Sequence, residues 1–340
     1  MIRKSIAKLI ERKDLTENET ERVIKEIMEG EATAAQIASF ITALRMKGET
    51  AEEITGAARG MRDKAVKIRI GNPLVVDTCG TGGDGTNTFN ISTTSAFVVA
   101  GAGITVAKHG NRSVSSRCGS ADVLKALGVN IDITPEKVER CINDIGIGFL
   151  FAPVFHKAMR HAIGPRREIG IRTIFNILGP LTNPADASIQ IIGVYSKDLT
   201  SLMAEVLMQL GCRHCYIVHG MDGMDEITIT EKTKISEGKD GRVDTYFIDP
   251  KDYGLPIARK EDISGGTPDE NAGIIYEVLE GKKGPKRDIT LLNASLPIIA
   301  CKKAGNIHEA IQIASDSIDS GMAMKKLDEL KICTNKYGKD

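Results

Sequence analysis

The sequence predicts an α/β protein: a small helical domain over residues 1–70, followed by a larger α/β domain over residues 71–340 with a central, largely parallel sheet. Two observations lead to this fold class. Residues 1–70 carry helical patterns, whereas from about residue 71 short β-branched runs alternate with helical segments. That alternation is typical of a parallel sheet whose strands are joined by helices. The 340 residues are also enough for one large or two ordinary domains.

The helical region contains recognisable capping signals. Thr16 with Glu19 and Thr50 with Glu53 each fit the S/T-x-x-E capping box. Two apolar stripes lie between these signals, formed by Val23, Ile24, Ile27 and Met28 and by Ile37, Phe40, Ile41 and Leu44. Such stripes form either the core of a domain or a subunit interface. Since so small a segment should not bury both stripes against itself, we expect a homodimer formed largely through these helices.

The rest of the chain follows an alternating order of strands and helices. Apolar, β-branched runs predict strands at 74–76, 104–106, 189–195 and 215–218. Helical patterns cover 92–101, 121–127, 135–145, 199–210, 269–279 and 307–320. Residues 230–262 are mixed and polar and give no clear prediction.

Composition and charge exclude several classes of partner. Lys plus Arg and Asp plus Glu both number 45, so no global field draws the protein to nucleic acid or to a membrane. The longest mostly apolar run, 96–107, is too short to span a bilayer. The start of the chain lacks a signal-peptide pattern, and seven scattered cysteines indicate reduced thiols. We therefore expect a cytoplasmic protein.

The first stretch that carries chemistry follows the strand at 74–76 and reads D-T-C-G-T-G-G-D-G over residues 77–85. Glycines after a strand let backbone N–H groups converge on an anion. The stretch formally matches G-x-G-x-x-G, but the next strand ends in Lys108-His109 where a dinucleotide site requires an acid. It also lacks the Lys of a Walker A loop, because Thr86 stands there. The sequence therefore predicts an unusual phosphate loop that contains an acid, Asp84.

A second phosphate loop follows the strand at 104–106. It reads K-H-G-N-R-S-V-S-S over residues 108–116 and contributes Lys108 and Arg112 as cations. Between the two loops, T-F-N-I-S-T-T at 88–94 enters the next helix, where hydroxyl and N–H groups face whatever the first loop binds. Two such loops predict a ligand with phosphate at both ends.

Two further clusters lie later in the chain. Arg166, Arg167 and Arg172 fall in a stretch rich in glycine and proline, which predicts a tight turn with one guanidinium placed to bind a carboxylate. Asp225 and Glu226 follow the strand at 215–218. Adjacent carboxylates at a strand end are costly unless they hold a cation or cap a helix, so a hard metal ion is expected there.

Taken together, these stretches resemble the anthranilate phosphoribosyltransferase family. The shared strings, in order, are D-T-x-G-T-G-G-D-G, T-F-N-I-S-T, K-H-G-N-R, G-S-A-D, R-x-x-G-x-R-T, F-N-x-L-G-P-L-x-N-P and H-G-x-x-G-x-D-E. The resemblance runs from the N-terminal helices to residues 320–321. Cys118, before G-S-A-D, and Pro165, before the arginine cluster, depart from the family pattern.

The resemblance implies a phosphoribosyltransferase fold like that of nucleoside phosphorylases, with residues 165–185 packed near the helical domain. Such enzymes transfer the 5-phosphoribosyl group of phosphoribosyl pyrophosphate to the amine of anthranilate and release pyrophosphate, in the second step of tryptophan biosynthesis from chorismate. The donor carries phosphate at both ends, which accounts for the two loops. An aromatic amine is neutral at physiological pH, so no strong general base is required and positioning should dominate catalysis.

The resemblance also assigns the donor site residue by residue. Lys108 and Asp84 would act through electrostatics and positioning. The residues expected to bind phosphoribosyl pyrophosphate are Gly80, Gly83, Asp84, Thr88, Asn90, Ile91, Ser92, Thr93, Lys108, His109, Gly110, Asn111, Arg112, Ser113, Val114, Ser115, Ser116 and Ser120.

The metal and the acceptor are assigned on the same basis. The expected cofactor is Mg²⁺, with ligands from Ser92, Asp225 and Glu226. The residues expected to contact anthranilate are Gly80, Asn111 and Arg166. Arg166 would lie nearest the carboxylate, with Arg167 as the alternative, and Arg172 would belong to the turn before Thr173.

Three other functions share parts of these patterns. A pyrimidine nucleoside phosphorylase would have a similar fold and a glycine loop, but different residues in its phosphate loops. A non-catalytic relative that binds nucleic acid would show a basic surplus and eroded metal-site acids, whereas the net charge is zero and Asp225 and Glu226 are intact. The formal G-x-G-x-x-G match is the one feature that is consistent with an NAD(P) oxidoreductase.

Overall fold

A computed structural model describes residues 1–113 and 117–338 of the chain. Its N-terminal part is a bundle of the helices α1 (Ile2–Ile10), α2 (Glu17–Met28), α3 (Ala34–Lys47) and α4 (Ala51–Lys64). Capping boxes at Thr16 and Thr50 are confirmed, and Thr33 with Gln36 forms another at the start of α3. Each box satisfies backbone N–H groups that a helix start would otherwise leave without an acceptor.

Both apolar stripes of this bundle lie inside the single chain. The eight side chains are between 0% and 4% exposed. They pack with residues of α9 (Arg160–Ile169), α10 (Phe175–Leu178) and α11 (Leu199–Gln209) in one core cluster. The stripes are therefore core, and the argument that they would need a second subunit to bury them was wrong.

Within the described residues, one sheet of seven strands forms the centre of the larger domain. The strands are β1 (Val75–Gly80), β2 (Thr105–Gly110), β3 (Ile147–Phe151), β4 (Ile189–Gly193), β5 (His214–Gly220), β6 (Thr233–Lys239) and β7 (Arg242–Ile248). Their order is β3-β2-β1-β4-β5-β6-β7. The first five strands in this order, β3, β2, β1, β4 and β5, are parallel to one another, and β6 and β7 form an antiparallel hairpin that extends the sheet beyond β5. The predicted fold class, a helical domain followed by a largely parallel sheet, is confirmed.

The sequence patterns missed β3 and the β6–β7 hairpin. Strand β3 reads I-G-F-L-F, which carries little β-branching, and it follows a helix directly. The hairpin strands carry polar residues because β7 lies at the sheet edge, mostly exposed. Their turn uses Asp240 and Gly241, both with positive φ (50° and 77°), and Asp-Gly is a typical hairpin signal.

Helices cover both faces of the sheet. Those of the larger domain not yet given are α5 (Ile91–Gly101), α6 (Ser120–Ala126), α7 (Pro135–Ile145), α8 (Ala152–Phe155), α12 (Pro268–Leu279), α13 (Pro285–Ala300), α14 (Ile307–Asp319) and α15 (Met322–Tyr337). Helix α5 is almost wholly buried and packs against α13, α14 and α15. No helix in the described part of the chain combines the length and the apolar character needed to cross a membrane.

The strand order places a topological switch point between β1 and β4. From β1 the chain moves outward to β2 and β3, and then returns to the other side of β1 at β4. In open α/β sheets, ligands bind at the carboxyl ends of the strands at such a point. In this chain those ends are Gly80 of β1 and Gly193 of β4. The predicted glycine loop starts at this edge of the sheet.

Candidate active site

The loop that follows β1 presents backbone N–H groups to the open edge of the sheet. Gly82, Gly83 and Gly85 adopt positive φ angles of 64°, 76° and 77°. Such angles strain any residue with a Cβ, so the glycines set the course of the loop. Among the residues that the structure describes, the N–H groups of Gly83, Asp84 and Gly85 have no protein acceptor. Consecutive open N–H groups of this kind bind anions.

Asp225 closes over the ends of β1 and β4. The N–H of Gly82 donates to Oδ2 of Asp225 at 2.8 Å. A Cβ on Gly80 would lie 2.6 Å from that same oxygen, and a Cβ on Gly193 would lie 1.5 Å from the Asp225 carbonyl oxygen. Both strand ends therefore need glycine. Because these glycines have no Cβ, Asp225 can lie against the strand ends and contact the first phosphate loop.

Lys108, Ser92 and Glu226 meet beside Asp225. The Lys108 ammonium, at the buried end of β2, donates to the Thr78 carbonyl and lies 3.3 Å from Ser92 Oγ. The Ser92 N–H, in the first turn of α5, donates to Glu226 Oε1 at 3.2 Å. Residues predicted separately from three stretches of sequence thus form one cluster.

The electrostatics of this cluster favour an added cation. Desolvation, and then repulsion from Asp84, raises the pKa of Asp225 to about 7. Desolvation and repulsion from Asp225 raise the pKa of Glu226 to about 8. Burial lowers the pKa of Lys108, while Asp77 and Glu226 favour its charged form. Two carboxylates that repel each other to this extent are stabilised by a positive charge between them.

The donor set fits a magnesium ion that takes part of its coordination from a substrate. Ser92 and the two acids offer oxygen ligands, which Mg²⁺ prefers. In residues 1–113 and 117–338 no group of three or more His, Cys, Asp or Glu side chains could hold a metal by itself. Mg²⁺ is commonly bound through one or two carboxylates together with substrate phosphates and water. The site has the acids for that arrangement but no complete protein cage.

The second phosphate loop is organised by Asp122, which the sequence analysis did not assign. Its Oδ2 accepts from the N–H groups of Ser113 (3.1 Å) and Gly119 (3.0 Å), and Oδ1 lies 3.4 Å from Arg112 Nη1. The hydroxyl of Ser120 donates to the Asn111 carbonyl at 3.3 Å. The spacing of Gly119 and Asp122 is that of a capping box, which could have revealed this role.

The other donor residues of these loops are placed as follows. Gly110 ends β2, and a Cβ there would lie 2.2 Å from Ser120 Oγ. His109 lies on β2 and is buried. The predicted donor contacts Val114, Ser115 and Ser116 lie outside the described residues.

Residues 88–93 are held by a segment that the sequence left unassigned. Thr88 pairs with Ser264, and a Cβ on Gly265 would lie 2.7 Å from the backbone of Phe89. The Asn90 side chain accepts from Asn271 Nδ2 at 2.9 Å. Ile91 and Thr93, both predicted donor contacts, are 1% exposed. At these two positions the backbone is what a ligand could contact.

Two of the three arginines of the cluster are helical, which corrects the prediction of a tight turn for them, whereas Arg172 lies beyond the left-handed Gly170 that ends the helix. Arg166 and Arg167 lie in α9, with Pro165 buried inside the helix. Arg166 is half-buried with its guanidinium carbon 5.2 Å from the centroid of the Phe175 ring, and burial lowers its pKa. Arg167 is exposed. Within the described part of the chain Arg166 has no acidic partner, so its charge is available for a ligand.

Arg172 does not simply belong to the turn before Thr173. Its Nη2 donates to the carbonyl of Gly83 in the first phosphate loop. Its guanidinium carbon lies 4.3 Å from the centroid of the Tyr195 ring, just after β4. The segment after α9 therefore reaches the first phosphate loop.

Two buried histidines lie together at the end of β2. The rings of His109 and His156 are 5.1 Å apart. Burial lowers the pKa of His109 well below its ordinary value and that of His156 to about 4, so both are neutral. In the described residues neither Nε2 atom has a hydrogen-bond partner. His156 was missed because a single histidine carries no sequence pattern.

Two asparagine side chains form hydrogen bonds that hold the backbone and side chains next to the site residues. Asn183 Nδ2 donates to Asp77 Oδ2 and to the Ala107 carbonyl, both at 2.8 Å, and so ties β1 to β2 below Lys108. Asn293 accepts from the N–H of Ile227 at 2.9 Å and donates to its carbonyl at 2.7 Å. That pair of bonds fixes the backbone immediately after Glu226. A polar residue within an apolar helical run is the signal that could have revealed Asn293.

Known protein families match nearly the whole chain. Residues 3–65 match the model described as "Glycosyl transferase family, helical bundle domain", and residues 72–324 match "Glycosyl transferase family, a/b domain". The anthranilate phosphoribosyltransferase of Acetivibrio thermocellus is 58% identical over 337 residues, covering 99% of this chain and 98% of that relative. That of Geobacter sulfurreducens is 57% identical over 349 residues, covering 98% of this chain and 100% of the relative.

The chain is also similar to solved structures of anthranilate phosphoribosyltransferases. The anthranilate phosphoribosyltransferase of Thermus thermophilus superposes with a TM-score of 0.92 at 40% identity, over 97% of this chain and 99% of that one. The Saccharomyces cerevisiae enzyme in complex with phosphoribosyl pyrophosphate and Mg gives 0.90 at 30% identity, over 98% of each chain. The yeast enzyme with 4-fluoroanthranilate gives 0.89 at 29% identity, again over 98% of each.

Proposed function

The chain belongs to the anthranilate phosphoribosyltransferase family, and we propose that it transfers the 5-phosphoribosyl group of phosphoribosyl pyrophosphate to the amine of anthranilate in a magnesium-dependent reaction. The observation that carries this proposal is the cluster at the switch point. Open N–H groups of the first phosphate loop lie beside Asp225, and the next residue, Glu226, accepts from the N–H of Ser92, whose hydroxyl lies 3.3 Å from the Lys108 ammonium. A diphosphate with a bound cation fits this combination of charges.

The donor is held at the strand ends of the α/β domain. We assign its pyrophosphate and 5-phosphate to the loops after β1 and β2, without choosing which loop takes which end. The N–H groups of Gly83 to Gly85 supply hydrogen bonds to one end. Arg112, whose Nη1 lies 3.4 Å from Oδ1 of Asp122, supplies positive charge to the other end.

Charge stabilisation at the leaving group explains the paired acids and the lysine. Magnesium supplies positive charge to the departing diphosphate when it is bound. Asp225, Glu226 and the Ser92 hydroxyl would hold it. Lys108 adds a second positive charge on the same side, 3.3 Å from Ser92 Oγ, and burial strengthens the attraction between that charge and a nearby anion because few waters screen it.

The acceptor is recognised from α9. Arg166 offers a half-buried guanidinium with no protein acid beside it in the described residues, which suits the carboxylate of anthranilate. The amine needs no base to become a nucleophile, and the histidines closest to the end of β2 are neutral. Catalysis then rests on placing the amine near the anomeric carbon and on neutralising the leaving group.

We also propose that the protein is a cytoplasmic homodimer. The seven cysteines are thiols, which fits a reducing compartment. Since the stripes on α2 and α3 are core, the interface must use outward residues of the helical domain. Ile10 (70% exposed) and Met46 (71% exposed) are the apolar candidates. Met46→Asp should then weaken assembly in light scattering while the circular dichroism spectrum stays that of the parent protein, whereas a monomeric parent protein would refute the dimer.

Loss of anthranilate fluorescence tests the reaction directly. Purified protein with magnesium and phosphoribosyl pyrophosphate should consume anthranilate, and excess chelator should stop the loss. Turnover at the full rate in chelator would refute the metal assignment alone. No loss of anthranilate under any condition would refute the reaction, and phosphorolysis of a pyrimidine nucleoside would then favour the phosphorylase.

A further inference from the structure

One exposed side chain connects the acceptor segment to the first phosphate loop. Arg172 lies three residues after α9, the helix that carries Arg166. It donates a hydrogen bond to the carbonyl of Gly83, and its guanidinium stacks over the Tyr195 ring at 4.3 Å. Elements from three parts of the chain therefore meet at this one guanidinium.

We propose that Arg172 is a positioning residue that sets the first phosphate loop in the orientation that binds the donor; this rests on the function proposed above. The peptide between Gly83 and Asp84 is trans, so its N–H points away from its carbonyl. Holding the carbonyl on Arg172 turns the Asp84 N–H to the opposite side of the peptide plane. If the carbonyl turned toward the ligand, its negative end would repel the phosphate.

The loop needs such a restraint because of its composition. Gly82, Gly83 and Gly85 carry no side chains that could pack and fix the loop, and glycine peptides reorient at little steric cost. Asp225 accepts from the N–H of Gly82 at the start of this stretch, and its own N–H donates to Asp84 Oδ2 at 3.3 Å, so the Asp84 side chain is anchored but the peptide between Gly83 and Asp84 is not. The peptide after Gly83 has its carbonyl on Arg172 and, among described residues, no acceptor for its N–H.

Tyr195 makes the restraint directional. Its backbone N–H donates to Thr81 Oγ1 at 3.1 Å, so the aromatic platform is itself anchored to the base of the loop. The guanidinium carbon of Arg172 lies over this ring, 4.3 Å from its centroid, so the ring limits where the guanidinium can move. Lysine in place of Arg172 could donate to the Gly83 carbonyl but has no planar guanidinium to place over the ring.

Four substitutions separate positioning from general stability: Arg172→Gln, Arg172→Lys, Tyr195→Leu and Tyr195→Phe. We expect Arg172→Gln to raise the Michaelis constant for phosphoribosyl pyrophosphate about fivefold and to change that for anthranilate less than about twofold. Arg172→Lys and Tyr195→Leu should give smaller changes of the same kind. Tyr195→Phe keeps the ring and should behave as the parent enzyme. Arg160→Gln, an exposed arginine at the start of α9, is the matched control.

Amide hydrogen exchange at Thr81, Gly82 and Thr86, the N–H groups of this loop that have acceptors, supplies a readout that does not depend on turnover. Arg172→Gln should speed exchange in this loop while the strands of the sheet keep their protection and the melting temperature stays that of the parent. An active Arg172→Gln enzyme with an unchanged donor constant and unchanged loop exchange would overturn the proposal. Equal losses for both substrates together with a lower melting temperature would also overturn it, since they indicate a general structural role. If the parent enzyme did not consume anthranilate, the function proposed above would fail instead, and the exchange comparison would still decide whether Arg172 restrains the loop.

Discussion

The donor side and the acceptor side of this site are built from different materials. We assign the donor side to the loops after β1 and β2 with the acids after β5, which offer backbone N–H groups and buried charges at strand ends. We assign the acceptor side to α9 and the segment after it, where the half-buried Arg166 is a side chain on a helix. The positions of the donor-side groups are set by the strands of the sheet, whereas the position of Arg166 depends on how α9 packs.

That helix packs against the N-terminal bundle. Helix α9 contacts α2 and α3, and a Cβ on Gly30, at the end of α2, would lie 2.7 Å from the His161 ring. The proposed acceptor side therefore packs against the helical domain, whereas the proposed donor side lies within the α/β domain. The contact of Arg172 with Gly83 joins the two sides. Changes on the donor side should thus affect turnover and donor use, and changes on α9 should affect the acceptor alone.

The largest effect is expected from Asp225 and Glu226, the acids that we propose as metal ligands. Glu226→Gln or Asp225→Asn should lower kcat/KM about 10³-fold, because metal stabilisation of the leaving group is worth several kcal/mol. Glu231→Gln, an exposed acid after the same strand, is the control and should be silent. Steady-state kinetics over a magnesium titration make the measurement. A variant with full activity at ordinary magnesium would remove the acids from the mechanism.

Lys108 is expected to act on turnover rather than on anthranilate. Lys108→Met keeps the length of the side chain and removes its charge, and should lower kcat about 10²-fold, as loss of one stabilising donor does elsewhere. The anthranilate Michaelis constant should stay within about twofold of the parent value. Because Lys108 is buried and bonded to Thr78, a melting curve must accompany the kinetics. A variant that folds and turns over normally would contradict the donor-side assignment.

Arg166 should show the opposite selectivity. Arg166→Ala removes a charge-assisted contact worth roughly 1.5–3 kcal/mol, so the anthranilate Michaelis constant should rise about 10-fold to 100-fold. Arg167→Ala, one residue along the same helix but exposed, should be near neutral. If Arg167→Ala carried the anthranilate-selective defect and Arg166→Ala did not, the assignment would shift by one residue.

The smallest of these effects is expected at Asp122. Asp122→Ala frees the N–H groups of Ser113 and Gly119, which loosens the second phosphate loop rather than removing a ligand contact. The donor Michaelis constant should rise roughly fivefold, in line with loss of hydrogen bonds worth about 1 kcal/mol. Asp132→Ala, an exposed acid beyond the same helix, is the control. A rise in the Michaelis constant for anthranilate alone would contradict the assignment of Asp122 to the donor side.

The same contrast explains what the sequence could predict of the fold. The capping boxes at Thr16 and Thr50 and the glycine-ended strand β1 were recognisable, because local hydrogen bonds and positive φ angles leave direct signatures. Strand β3 and the hairpin of β6 and β7 were missed, since short or edge strands carry weak patterns. Whether an apolar stripe faces core or partner depends on the whole chain, and the stripes of α2 and α3 proved to be core.

In the site, the sequence indicated the donor side better than the acceptor side. Glycines, the lysine and the acids occur in motifs, and the structure brings Ser92, Lys108 and Glu226 together. The arginine cluster was predicted as a turn, because Pro165 and the nearby glycines favour one, but tertiary packing keeps the segment helical. The supports Asp122, Asn183 and Asn293 act through backbone atoms far away in sequence, so no local pattern could reveal all of their partners.

Equilibrium binding to Arg166→Ala tests the division into two sides most directly. Titration calorimetry would measure phosphoribosyl pyrophosphate with magnesium in one experiment and anthranilate in another, for the parent and the variant. The account predicts a donor dissociation constant within about twofold of the parent value and an anthranilate constant raised at least about 10-fold. Donor and acceptor affinities that fell together by the same factor would contradict it, because Arg166 would then belong to both sides.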